Sequence, residues 1–250
     1  MIAHVGAPPD GCVVAFDRET GVEVWRGGDD PAGYSTPLVV RQGKDDRLIN
    51  WNPEHIVAMS PETGEVYWKV PYKVSNGVSI ASPISEEDIL FVSGYWEGSK
   101  AILLKDQPTD FSLIWEENRW LRGLKAQALY RDGLVYNLDK FHGLVCFDLK
   151  TGEKVWTDEN RMTPKGRNPQ ASMVWAGEED RVLILNSDGD LILARFGPDR
   201  YEELDRANII GHTWAHPAFA GNKVYARSDT EIVAVELTKG SEKAEGRGQR

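Results

Sequence analysis

The sequence predicts an all-β fold, a β-propeller of four-stranded antiparallel blades, on three observations. A phrase containing Thr-Gly-x-x-x-Trp is written three times, short β-rich runs recur in fixed phase around it, and turn residues rather than helical periodicity separate those runs. The copies run from Ala15 through Asp17, Thr20 and Gly21 to Trp25, from Ala58 through Ser60, Thr63 and Gly64 to Trp68, and from Cys146 through Asp148, Thr151 and Gly152 to Trp156. Weaker copies end at Trp115, after a longer turn, and at Leu204, which is expected to stand where the Trp would be. The anchors fall about 41 to 48 residues apart, the size of a four-stranded blade of about 40 to 50 residues.

Each element has a local cause. Val13 to Phe16, Ile56 to Met59, Leu144 to Phe147 and Ile232 to Val235 are β-rich runs, the first three followed directly by the phrase. In the phrase the Asp or Ser and Thr oxygens accept hydrogen bonds from turn N–H groups, while Gly21, Gly64 and Gly152 take the left-handed conformation that side chains resist. The strand that follows alternates exposed and buried positions and ends on a Trp expected to wedge between neighbouring blades. Two further runs precede each phrase, one starting near Ser35, Ala81, Ala126, Ala171 and Ala215, the next near Leu48, Ile89, Leu134, Val182 and Lys223. Asp132-Gly133, Asp188-Gly189 and Gly221-Asn222 supply the turns between strands.

With strands lettered A to D from the hub outward, the array begins at a B strand near Ile2, turns at Pro8 to Gly11, and ends on a C strand near Thr238. The expected domain is therefore 1–238, its first blade lacking A and its last lacking D, followed by a flexible tail over 239–250 that holds no apolar residue larger than Ala. Because a closed ring leaves no unpaired edge, the expectation is five-plus blades of a seven- or eight-bladed ring, the remainder belonging to a longer parent chain. Such a fragment would also have lost any signal peptide.

Composition narrows the partners. A formal net charge of −10 argues against a nucleic-acid partner, and the short basic run Arg161 to Arg167 reads as loop. The apolar runs are strand-sized, so no membrane span is expected. Cys12 and Cys146 fall on blades that are not neighbours, which argues against a disulfide.

Over roughly residues 2–238 the Ala-x-Asp-x-x-Thr-Gly-x-x-x-Trp phrase resembles the repeat of the pyrroloquinoline-quinone-like (PQQ-like) β-propeller superfamily. That superfamily includes quinoprotein dehydrogenases and the propeller lipoprotein of the bacterial outer-membrane barrel assembly machinery. The resemblance implies a bacterial, periplasmic or secreted protein and says little about activity, since the motif serves blade packing. Quinoprotein alcohol dehydrogenases use adjacent cysteines and a calcium or lanthanide held by Glu, Asn and Asp; this chain has no adjacent cysteine pair. No catalytic, cofactor-binding or metal residue is carried over, and neither pyrroloquinoline quinone nor calcium is expected.

The remaining chemistry-bearing residues have structural readings. Asn186-Ser187-Asp188-Gly189-Asp190 is a hairpin turn rather than a calcium loop. His212 and His216 do not converge on a metal from a loop, and His4, His55 and His142 are isolated from any nucleophile elbow. Asp17 and Asp148 belong to the turn phrase. Two functional classes follow: a non-catalytic scaffold that binds a protein or peptide through loops and sheet edges, which is favoured, and a quinoprotein-type oxidoreductase or small-molecule sensor with a site at the hub. Trp120, Arg122, Lys125, His212, Trp214 and His216 are the candidate hub or loop liners.

Overall fold

The computed structural model describes residues 1–6, 12–42, 45–123, 125–177 and 180–238. Sheet 1 comprises β1 (Ile2–His4), β2 (Val13–Phe16) and β3 (Glu23–Gly27). Sheet 2 comprises β4 (Leu38–Gln42), β5 (Asp45–Trp51), β6 (His55–Met59) and β7 (Val66–Pro71). Sheet 3 comprises β8 (Ile84–Glu86), β9 (Ile89–Gly94), β10 (Gly98–Leu104) and β11 (Phe111–Glu117). Sheet 4 holds β12 (Leu129–Arg131), β13 (Leu134–Asp139), β14 (Gly143–Asp148) and β15 (Lys154–Thr157). Sheet 5 holds β16 (Ala171–Trp175), β17 (Arg181–Asn186), β18 (Asp190–Phe196) and β19 (Tyr201–Asn208), and sheet 6 holds β20 (Ala218–Ala220), β21 (Lys223–Arg227) and β22 (Ile232–Glu236).

Every sheet is an antiparallel meander, and sheets 1 and 6 contain three strands among the described residues. Residues 23–27 pair with β2 inside sheet 1. The turn expected at Pro8 to Gly11 and the tail expected over 239–250 lie outside the described residues. The innermost strands of sheets 2, 3 and 6 start later than the sequence suggested, at Leu38, Ile84 and Ala218, each directly after a proline. Pro37, Pro83 and Pro217 have no N–H to give a ladder, so pairing begins beyond them.

The three phrase turns share one geometry. Asp17 Oδ1 accepts from the Thr20 amide at 2.8 Å and the Thr20 hydroxyl at 2.7 Å, and the Thr20 hydroxyl accepts from the Val22 amide. Ser60 and Asp148 accept the Thr63 and Thr151 amides in the same way, at 3.1 and 2.8 Å. Gly21, Gly64 and Gly152 sit at φ of 71°, 75° and 71°.

The Trp wedge has a specific receptor. Trp25 of sheet 1 donates from Nε1 to the Pro61 carbonyl in the turn of sheet 2, 3.0 Å away. Trp115 of sheet 3 donates to Leu149 O of sheet 4 at 2.9 Å, and Trp156 of sheet 4 to Gly197 O of sheet 5 at 3.0 Å. Each indole thus reaches the turn of the next sheet, and those of Trp25 and Trp115 lie against its glycine. A Cβ on Gly64 would stand 2.5 Å from Trp25 Cε3, and one on Gly152 2.7 Å from Trp115 Cδ2. Trp68 faces the longer turn of sheet 3, which lacks Thr-Gly; its indole packs on Phe111 at 4.7 Å between ring centres and its Nε1 finds no partner among the described residues. The apolar core accordingly lies between sheets, as with Ile49, Trp51 and Trp68 of sheet 2 against Leu90, Ile102 and Leu104 of sheet 3.

A β-bulge recurs in each complete third-to-fourth strand pair and in sheet 1. Trp25, Trp68, Trp115 and Trp156 pair with Ala15, Ala58, Ala101 and Cys146 immediately before a register shift. The bulge leaves Val24, Ile114 and Val155 pointing to solvent. In sheet 5 the pair before the shift is Leu193 with Asp205, and Leu204 is the exposed bulge residue. The expectation that Leu204 replaces the Trp is therefore corrected: Asp205 occupies that position, because the bulge falls one residue later relative to the hydrophobic pattern.

Gly21 and Gly64 share a conformation, but only Gly64 receives an indole; nothing lies within 4 Å of a Cβ built on Gly21. Gly21→Ala is expected to cost about 1 kcal/mol from backbone strain alone. Gly64→Ala is expected to cost a further 1 to 3 kcal/mol, on the order of an overpacked core. Urea unfolding of both variants measures the difference, and equal losses would show that the indole does not depend on the glycine.

Candidate functional site

A four-stranded meander sends its first-to-second and third-to-fourth connections to one end and its second-to-third and sheet-to-sheet connections to the other. The phrase turns occupy the first end. The second end carries the predicted liners. Two buried carboxylates shape its loops. Asp139, at the end of β13, accepts from the amides of Phe141 and His142 at 2.8 Å each and from the Arg122 amide at 2.7 Å. Its Oδ1 also contacts His142 Nδ1 at 2.6 Å. Asp158 accepts from the amides of Leu144 and Met162 at 2.7 Å and of Asn160 at 3.0 Å. Burial pushes the Asp158 carboxyl above its ordinary value despite these donors.

The structure brings some of the predicted liners together and separates others. Lys125 places Nζ 3.3 Å from the ring centre of Trp214, which in turn meets His212 edge to face at 6.0 Å. The loops before sheets 4 and 6 therefore touch across the hub. His216 contacts the Ser172 hydroxyl through Nδ1 at 3.0 Å. Arg122 stands apart from these, its guanidinium 5.5 Å from the Phe141 ring centre. Trp120 is no hub liner: it packs on Phe147 at 6.2 Å within the core between sheets 3 and 4, with Lys154 over its ring.

Sequence reasoning missed Tyr95, Trp96, Lys140 and Phe141, which form one continuous assembly at this end. Lys140 Nζ lies 3.6 Å from the Tyr95 ring centre, 4.9 Å from Phe141 and 5.9 Å from Trp96. The Tyr95 hydroxyl donates to Arg167 O at 2.7 Å, tying in the loop before sheet 5. The signal was available: these residues occupy the second-to-third strand turns of sheets 3 and 4, where turn-forming Gly or Asp serves the fold and an exposed Trp or Phe does not.

Other chemical candidates resolve into structural roles. Ser172 and His216 have the spacing of a nucleophile and base, but among the described residues no carboxylate orients the other ring nitrogen. Cys12 and Cys146 are free and buried, and burial pushes the Cys146 thiol up to about 12, so neither is a ready thiolate. Asn186 Oδ1 accepts from the Asp188 and Asp190 amides at 3.1 and 3.0 Å, with Gly189 at φ 83°, which is a turn held by its own side chain. His55 is paired to Asp30 at 3.0 Å, and burial lowers the pKa of His4. Among the described residues no cluster of three or more His, Cys, Asp or Glu is placed to hold a metal ion, and no helix is long and apolar enough to cross a membrane.

A cleft of about 640 Å³ opens between sheets 5 and 6, floored by Leu183, Leu191, Leu193, Ile209 and Val235. It lies where Asp205 stands instead of a Trp. Arg206 at its edge bonds Asp190 Oδ2 at 2.7 Å and Glu203 at 2.9 Å.

Stacked antiparallel meanders locked by interdigitating tryptophans, with loop clusters gathered at two ends, define a β-propeller protein. The chain belongs to the family of the outer membrane protein assembly factor BamB, whose model matches residues 52–247. None of the curated proteins matches it. Among solved structures, it resembles the computationally designed Ika8 protein at 14% identity and TM-score 0.65, covering 94% of this chain and 68% of that one. The Cps50 (Swd1) β-propeller domain of Myceliophteria thermophila matches at 13% identity and TM-score 0.59, over 90% of this chain and 75% of that one. BamB from Moraxella catarrhalis aligns over 90% of this chain and 78% of its own length, at 17% identity and TM-score 0.48.

The Arg206 cluster predicts an acid sensitivity. The Arg206 hydrogen bond holds Glu203 below its ordinary value of 4.5. At Asp190 burial acts upward, and the combined hydrogen bonds from Asn208, Arg206 and Asn186 outweigh it, leaving the carboxyl lowered as well. A depressed folded-state pKa stabilises the fold above the unfolded value, and this contribution disappears as pH falls through the folded one. Glu203→Gln is therefore expected to lower stability by about 1 kcal/mol at neutral pH, with the gap closing as pH falls from the ordinary value of 4.5 through the depressed folded-state one. Urea midpoints across that range measure it; a gap independent of pH would remove the ion pair as its cause.

Proposed function

We propose that this protein is a non-catalytic β-propeller scaffold that binds another protein or a peptide, working on the periplasmic side of a bacterial outer membrane as an assembly factor of its family. The observation that carries the reading is the fate of its polar side chains. The Asp, Ser and Thr of the repeat are consumed by turns, the buried Asp139 and Asp158 by loop amides, and the thiols by burial. What the loop end offers to solvent is aromatic and cationic contact area, with Trp96, Phe141 and Trp214 exposed by 42%, 50% and 47%. Exposed aromatics beside cations are the material of protein interfaces rather than of a reaction centre. Family membership supports the compartment and the assembly role.

The competing class, a quinone-dependent site at the hub, is tested by titrating the full chain with pyrroloquinoline quinone and calcium. A ligand that binds the folded state raises the melting temperature with concentration. The scaffold reading expects the melting temperature and the quinone spectrum to stay unchanged; a dose-dependent rise would overturn it.

A further inference from the structure

We infer that the loop end over sheets 3, 4 and 5 is a docking surface for an acidic, extended protein segment with apolar side chains, centred on Lys140. This inference rests on the scaffold reading and names the surface and partner chemistry it leaves open.

Three observations converge. The first is charge segregation. In a chain of net charge −10, the connections entering sheets 4 and 5 and the turn of sheet 4 carry Arg119, Arg122, Lys125, Lys140, Lys165 and Arg167. The carboxylates on the same connections are committed. Asp139 and Asp158 are buried on backbone amides, Glu117 pairs with Arg119, and Glu97 accepts from Ser75; Glu159 on these connections and Asp188 on the turn of sheet 5 stay at the surface. The second is that the central cations face aromatic rings. Among the described residues Lys140 and Lys125 have no carboxylate partner, and their ammonium groups rest on Tyr95 and Trp214 at 3.6 and 3.3 Å. A cation–π contact at an exposed site is worth about 0.5 to 1 kcal/mol, and it leaves the full positive charge available to an incoming carboxylate. Burial lowers the Lys125 pKa without any acidic neighbour countering it.

The third observation is rigidity. Lys140 N donates to Arg122 O at 3.0 Å, the Arg122 amide is held by Asp139, and Arg122 Nη2 donates to Arg119 O at 2.7 Å. Tyr95 is pinned by its hydroxyl to the loop of Arg167 and Asn168. The cations are thus set before a partner arrives, which reduces the ordering cost of binding. Exposed Trp96 and Phe141 flank Lys140 and supply apolar contact on either side. A peptide alternating carboxylates with apolar side chains matches this pattern. A nucleic acid matches less well, because the excess of carboxylates over the rest of the chain repels a long polyanion.

The test uses the full chain and three fluorescein-labelled probes: a short peptide alternating Asp/Glu with Phe/Leu, its Lys/Arg counterpart with the same apolar residues, and oligo-deoxythymidine. Anisotropy is expected to rise for the acidic peptide alone and to weaken as salt increases. Lys140→Glu is expected to lower that affinity at least about tenfold and Trp96→Ala several-fold. Lys105→Glu, on the opposite end, should leave it unchanged. Near-UV circular dichroism checks that each variant folds. Equal binding of the basic peptide, tighter binding of oligo-deoxythymidine, no binding of the acidic peptide, or equal effects of Lys140→Glu and Lys105→Glu would each overturn the assignment. A protein partner cross-linked to the wild type and retained equally by Lys140→Glu would overturn this surface while leaving the scaffold reading in place.

Discussion

The indole that leaves one sheet and lands on the glycine turn of the next is the contact on which the rest of this structure depends. A single four-stranded meander exposes both faces and cannot bury enough apolar area to be stable alone. Trp25, Trp115 and Trp156 connect neighbouring sheets by filling the gap between them and donating a hydrogen bond to a turn carbonyl. Where Trp25 and Trp115 land, the turn offers a surface with no Cβ and a left-handed residue at once. Gly64 and Gly152 meet both requirements, which explains why Thr-Gly and Trp travel together in the repeat even though they act in different sheets.

Where the wedge is altered, packing changes with it. Trp68 faces a turn without Thr-Gly and packs on Phe111 with its N–H unmet among the described residues. Asp205 replaces the wedge in sheet 5, and the core shared with sheet 6 contracts to Leu185, Ile210 and Ala226 with their neighbours. The cleft between those sheets is edged by the ion pairs of Arg206. Polar bonds can hold the edge of such a gap but cannot fill it.

Because packing is settled by sheet faces and phrase turns, the opposite end is relieved of structural duty. Its loops need only be anchored, and Asp139 and Asp158 do this by gathering backbone amides. Side chains there are free to be chosen for contact with something else. Aromatic rings under ammonium groups with no carboxylate partner among the described residues, in an otherwise acidic molecule, are what that freedom produced.

The sequence by itself determined the repeat, the strand order and the turn chemistry, because these rest on local physics: β-branched runs, glycine at positive φ, and oxygens two or three residues from the amides they accept. It also determined that Asp17 and Asp148 were turn residues, since their place in the phrase was fixed. Only the tertiary structure decided which liners meet. Lys125 and Trp214 are far apart in the chain and touch because two loops converge at the hub, whereas Trp120, close to Lys125 in sequence, turns into the core. The same holds for Leu204, whose pattern position is apolar but whose side chain a one-residue bulge sends to solvent. Bulge placement and loop convergence depend on how neighbouring sheets press on a strand, and that pressure is not encoded in the strand's own residues.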